Sequence, residues 1–254
     1  MLDVQGLLNE AEGSPVGIVN PGAEGSVLLI CEHASRTLPS SLGTLGLSEE
    51  ALVSHIAWDP GALAVAQVLS GLLDATLIHQ RFSRLAYDCN RPPEAPGAMP
   101  ETSEIYTIPG NSELSQPDRD LRTHGLYLPF HAAIDACIAE RQARGQGTVL
   151  VTMHSFTPIY MGKPRAVEVG ILHDSDSRLA DLMLENAKPG PVVRRNEPYG
   201  PADGVTHTLI KHGLSRGLPN VMIEVRNDLI DAPESQMAMA QYLADAIKRS
   251  LPQL

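Results

Sequence analysis

Three short apolar runs restrict what this chain can fold into. Residues 27–31 (VLLIC), 149–153 (VLVTM) and 221–225 (VMIEV) are bounded by turn-forming segments and lack strict alternation of apolar and polar positions. A strand with one wet face alternates, whereas a strand covered on both faces does not, so these runs predict the inner strands of a buried sheet. Two weaker strand candidates, 76–79 and 166–172, lie among segments with helical spacing: 61–73, 118–144, 176–188, 205–213 and 233–251. Strands alternating with helices predict an α/β fold with three layers, α/β/α, around a mainly parallel mixed sheet. Residues 1–254 are read as one such domain. A chain of this length buries enough apolar surface to fold without disulfides or a structural metal, so any bound metal is expected to be functional.

Residues 92–117 (PPEAPGAMPETSEIYTIPGNSELSQP) break the pattern. They are too long for an ordinary connector and too poor in apolar periodicity for a regular element. The reading is a long loop, either a lid or specificity loop or a solvated excursion.

The formal net charge of -11 makes nucleic acid and anionic lipid poor partners. Cys31, Cys89 and Cys137 are widely spaced with no CxxC pair, which argues against a disulfide framework and against a thiolate zinc site. A reducing cytoplasm fits this usage. The first residues (MLDVQGLLNEAEGS) carry acids where a signal peptide needs bases, and no window approaches about 18 uninterrupted apolar residues. The expectation is a cytoplasmic protein, neither exported by that route nor membrane-spanning.

In open α/β sheets ligands bind beyond the carboxyl ends of the strands. Glu32-His33-Ala34-Ser35 follows the first run, His154-Ser155-Phe156 follows the second, and Glu224 and Arg226 lie at the end of the third. Three strand ends thus deliver polar groups to one rim. Catalytic zinc takes three protein ligands and leaves one position open, and without thiolates these come from His, Asp and Glu. His33 and His154 are candidates, and Asp59 in HIAWDPGA is the third. Each has a competing reading. Asp59 followed by Pro60 also suits a helix cap, and either histidine also suits a neutral, hydrogen-bonded strand end.

Glu224 is a candidate general base beside a metal-bound water, or else the ion-pair partner of Arg226, because residues i and i+2 of a strand share a face. Arg226 is shaped to hold a substrate carboxylate through two parallel bonds. Arg84 and Arg91, in RFSRLAYDCNRP, are candidate anion binders or members of a salt-bridge network with Asp88. No G-x-S-x-G elbow, H-E-x-x-H helix or phosphate-binding glycine loop is present. The other histidines are scattered singly; His131 stands out among them, with packing or surface exposure as its first reading.

The ordered blocks CEHAS, WDPGA, SRLAYDCNRP, VTMHSF and MIEVRNDL resemble those of the N-formylglutamate amidohydrolase family, from about Val27 to the final helix. The resemblance implies the fold of zinc-dependent exopeptidases and cell-wall amidases. It implies a zinc ion, or another divalent ion, on His33, Asp59 and His154, with Glu224 as catalytic acid/base. Arg84, Arg91 and Arg226 fall in blocks that look like the family's substrate-binding segments. Members assigned to histidine breakdown typically carry Pro-His-Ser-Gly at the first ligand, where this chain has Glu32-His33-Ala34-Ser35 beside the acyl pocket.

The expected activity is hydrolysis of a small N-acyl amino acid, with N-formyl-L-glutamate, giving formate and glutamate, as the named candidate. The alternatives are an amidase for another N-acyl amino acid or a peptide, and a non-catalytic metal- or carboxylate-binding module. The expected partner is a small carboxylate-bearing substrate; an oligomer is compatible with this reading.

Overall fold

In the computed structural model, which describes residues 6–254, seven strands form one sheet. The first five residues of the segment read for a leader lie outside the described residues. In chain order the strands are β1 (Val16–Val19), β2 (Val27–Cys31), β3 (Thr76–Gln80), β4 (Val149–Phe156), β5 (Val169–Leu172), β6 (Val193–Arg195) and β7 (Asn220–Arg226). Across the sheet they lie in the order β1-β3-β2-β4-β7-β5-β6. The three strongest apolar runs therefore sit side by side at the centre, β2 parallel to β4 and β4 parallel to β7. The outer strands mix the directions: β1 runs antiparallel to β3, and β5 antiparallel to β7.

Alternation along the central strands divides the side chains between two cores. Leu29, Val151 and Ile223 face one, and Leu28, Leu150 and Met222 face the other. The first core is closed by α1 (Ala62–Leu73), which buries Val65, Ala66, Leu69 and Leu73, and by α3 (Pro233–Ser250), which buries Met239, Leu243 and Ile247. The second is closed by α2 (Leu128–Ala143) through Phe130, Ile134 and Ile138. Spacings of three and four place each set on one helix face, which is why the helical period was visible in the sequence. No helix among the described residues is long and apolar enough to cross a membrane.

Several local expectations change. The run 149–153 continues to Phe156, so His154 lies inside β4 and not beyond it; Glu224 and Arg226 likewise lie inside β7. The helix expected over 205–213 starts at residue 207 and is irregular: wide π turns at Leu209–Gly213 lead into a tighter 3-10 turn at Leu214–Arg216. The segment 92–117 contains elements after all, a hairpin of Thr102–Ser103 and Tyr106–Thr107 between single turns at Pro96–Ala98 and Pro109–Asn111. Its anchors are isolated: Met99 and Ile108 are buried, and the Asn111 amide donates to the carbonyls of Leu85 and Pro100. Single anchors of this kind leave no period to read.

Candidate metal centre

The central strands set the geometry. In the β4–β7 register Glu224 stands opposite His154, so a potential base and a potential ligand arrive on adjacent parallel strands. The chain leaves β2 through Glu32 and His33, and the His33 carbonyl accepts the Asp59 amide at 2.9 Å, which ties the start of α1 to the end of β2. Gly61, with φ of 79°, occupies the cap of α1, and a Cβ there would collide with the Ile230 carbonyl oxygen. With Gly61 in that place the Asp59 carboxylate caps nothing, contrary to the competing reading, and is free to turn toward the histidines.

Three atoms converge there. Asp59 Oδ2 lies 3.2 Å from His33 Nδ1 and 3.0 Å from His154 Nδ1, and the two ring nitrogens are 3.2 Å apart. Zinc–ligand distances of about 2.0–2.1 Å place neighbouring atoms of a tetrahedron about 3.3–3.4 Å apart, so the triangle fits one divalent ion with a position left open. Charge points the same way. The buried carboxylates among the described residues are Glu32, Asp59, Asp88 and Glu224, and all gather at this site with Arg84 as the guanidinium between them. Burying uncompensated carboxylates costs several kcal/mol each, and a dication offsets much of that deficit.

Around the triangle, Asp88 Oδ1 is 2.7 Å from His33 Nε2, and Glu32 Oε2 is 3.1 Å from His154 Nε2, although at an angle too poor for a hydrogen bond. Arg84 bridges Asp59 Oδ1 at 3.3 Å and Asp88 Oδ2 at 3.0 Å. Burial opposes the charge on Asp59 and Asp88, yet His33 and Arg84 together hold both below the usual carboxylate range. Glu224 is different. Burial dominates there and pushes it up to about 7, and its Oε2 has no hydrogen-bond partner.

The triangle opens into a cavity of about 180 Å³. Arg84, Arg91, His154 and Glu224 contribute polar atoms to its wall, while Phe156, Tyr160, Tyr199 and Val205 supply apolar surface. The hairpin within residues 92–117 brings Ser103 and Glu104 to the rim, where Glu104 pairs with His55 at 2.8 Å and accepts the Met161 amide at 3.0 Å.

The N-formylglutamate amidohydrolase family model matches residues 25–231. The chain belongs to that family. It is an amidohydrolase, and a gene product of Agrobacterium tumefaciens with a solved structure is 59% identical to it, with a TM-score of 0.96 over 97% of this chain and 98% of that one. The N-formylglutamate amidohydrolase of Ralstonia eutropha JMP134 is 21% identical, with a TM-score of 0.63 over 94% of this chain and 98% of that one, which shows a shared fold. A comparison with curated proteins found no match.

In this amidohydrolase the three arginines have different surroundings. Arg84 lines the cavity but is held by Asp59 and Asp88, as the network reading expected. Arg91 lines the cavity with no acidic partner among the described residues; its Nη1 donates to the carbonyls of Asn90 and Gly204. Arg226 is outside the cavity wall, its guanidinium taken by Asp228, Glu168 and the Arg165 carbonyl, and it forms no ion pair with Glu224. Sharing a strand face does not fix where a long side chain ends. Glu32 and the cavity residues His55, Glu104, Tyr160 and Tyr199 had no assigned role in the sequence reading; the one signal was an acid, Glu32, at the end of a fully apolar run.

His131 is a packing residue. It is buried on α2, 2.9 Å from the Cys89 carbonyl and 2.7 Å from His212, and burial, aided by His212, pushes it down to about 3. A histidine that ionises near 6.5 unfolded and about 3 folded binds its proton more readily in the unfolded chain, so stability present above 6.5 is lost as pH falls toward 3. Between pH 7 and pH 5 this residue is expected to remove about 2 kcal/mol of unfolding free energy. Urea titrations at the two pH values check it: His131→Gln should shrink the difference, and an unchanged difference refutes the assignment.

Proposed function

We propose that this amidohydrolase is zinc-dependent and cleaves the amide bond of a small N-acyl amino acid, with N-formyl-L-glutamate, giving formate and glutamate, as the first candidate. The observation that carries the proposal is the triangle of His33 Nδ1, His154 Nδ1 and Asp59 Oδ2 in the wall of a cavity that also holds Glu224. These three residues would hold a zinc ion, which would supply Lewis acidity toward an acyl oxygen and an attacking water.

Glu224 takes the proton from the attacking water and returns it to the nitrogen of the leaving amine. Burial pushes its pKa up in the metal-free chain, which favours a carboxyl group that can take a proton and give it back. Arg91, a cation on the cavity wall without an acidic partner, holds the substrate carboxylate. Arg84 serves differently: one guanidinium clamps Asp59 and Asp88 and so fixes the ligand carboxylate. The aromatic wall of Phe156, Tyr160 and Tyr199 limits water around the reacting amide.

The test is substrate profiling of zinc-loaded protein against N-formyl and N-acetyl derivatives of acidic and neutral amino acids. Turnover of at least one carboxylate-bearing member is expected, and Arg91→Met should raise its KM about 10- to 100-fold, the value of one charged hydrogen-bond contact. Stoichiometric binding without product across the panel would favour a binding module instead. An unchanged KM would remove Arg91 from carboxylate recognition.

A further inference from the structure

Both histidines of the triangle present Nδ1 to its centre, which leaves both Nε2 atoms pointing outward. A neutral imidazole carries one proton, so a ring that donates electrons from Nδ1 must keep its proton on Nε2. Each Nε2 lies against a buried carboxylate: Asp88 at 2.7 Å from His33 and Glu32 at 3.1 Å from His154. We propose that Asp88 and Glu32 are positioning residues that keep the proton of His33 and His154 on Nε2, so that both rings offer Nδ1 to the metal.

The two carboxylates are supported unequally. Asp88 is fully engaged: Oδ1 also accepts the Asn90 amide at 2.9 Å and Oδ2 accepts Arg84 at 3.0 Å. That guanidinium also reaches Asp59 Oδ1, so His33, Asp59, Asp88 and Arg84 form a closed ring in which no member turns without breaking a contact. Glu32 has no such support. Its neighbours are His154 Nε2 at 3.1 Å and Thr208 on the adjoining turn, both close enough to lower its pKa but neither well aligned for a hydrogen bond. A buried carboxylate without a well-aligned partner is costly, and His154 is the cation-capable group beside it. With an ion on Nδ1, the His154 Nε2–H becomes more acidic and a stronger donor, so a small rotation satisfies Glu32 and His154 together.

Ile30 faces the core closed by α2, and Glu32 is the first residue of the turn that follows β2, while His154 lies on the same side of β4 as Leu150.

The proposal rests on the metal reading, and its test separates the two. Zinc dissociation constants would be measured by chelator competition for the unaltered chain and for Glu32→Gln, Glu32→Leu and Asp88→Asn. Long-range nitrogen–proton NMR spectra of the zinc-loaded samples report which ring nitrogen carries hydrogen. Loss of an orienting carboxylate is expected to weaken zinc about 10- to 100-fold, with Leu worse than Gln because the amide oxygen still accepts a hydrogen bond. The wild-type spectra should show both ligand histidines protonated on Nε2, and the variants should broaden or shift the Nε2–H signal of the ring they touch. If Glu32 served packing alone, its variants would melt earlier without metal yet bind zinc as tightly, and that result overturns the proposal. Asp88→Asn breaks several contacts, so if it fails to fold the Glu32 pair decides the matter. A wild-type protein that binds no zinc would defeat the metal reading itself, an outcome distinct from unchanged affinity in the variants.

Discussion

Glu224→Gln is expected to bind zinc as the parent does while its kcat/KM falls about 10²- to 10⁴-fold, the range a single proton-transfer group commands. In activation free energy this is about 3–5 kcal/mol. The change keeps size and shape and removes only the ability to accept a proton. Structural repair is not at issue, because Glu224 Oε2 makes no hydrogen bond and the side chain forms no ion pair with Arg226. The melting temperature should therefore stay near that of the parent. Measured zinc content and single-turnover rates on the same sample decide the case: a variant that turns over normally removes Glu224 from the acid/base role. A variant that loses zinc would show instead that Glu224 acts on the ion.

The second large effect concerns the ion. Chelation is expected to abolish turnover, and zinc should restore it at about one equivalent per chain. The metal-free protein should remain folded, because two cores on either side of a seven-stranded sheet hold the scaffold without the ion. Far- and near-ultraviolet circular dichroism of stripped protein check this directly. Asp59→Asn should act like chelation, since the amide cannot offer the anionic oxygen on which both Nδ1 atoms converge. Equal rates for stripped and loaded protein would sink the metal mechanism whatever the fate of Glu224.

Much of the architecture was legible because it depends on local periods. The spans 27–31 and 61–73 correspond closely to β2 and α1, since burial on both strand faces and a stripe at three- and four-residue spacing write themselves into short windows. Edge elements were not legible. β1 and β6, of four and three residues, carry too little pattern, and the hairpin at Thr102–Thr107 is held by buried side chains outside its own strands. The helix expected over 205–213 forms in part, from residue 207 on and with π rather than regular α turns. Val205, Leu209 and the buried His212 reach the core from wide and tight turns, which mimic a helical period.

The sequence by itself determined which polar residues lie near the carboxyl ends of the buried strands: His33, His154 and Glu224 follow from apolar runs that must pack inside. Only the tertiary structure decided what those residues meet. Asp59 turns to the histidines because Gly61, not Asp59, occupies the helix cap, and Arg226 leaves the cavity because Asp228 and Glu168 take its guanidinium. Asp88 and Glu32 reach the outer nitrogens of two rings that are 121 residues apart in the chain. A period records which side of an element is buried, whereas a partner depends on register and crossing between distant segments, and those are set by packing the whole sheet.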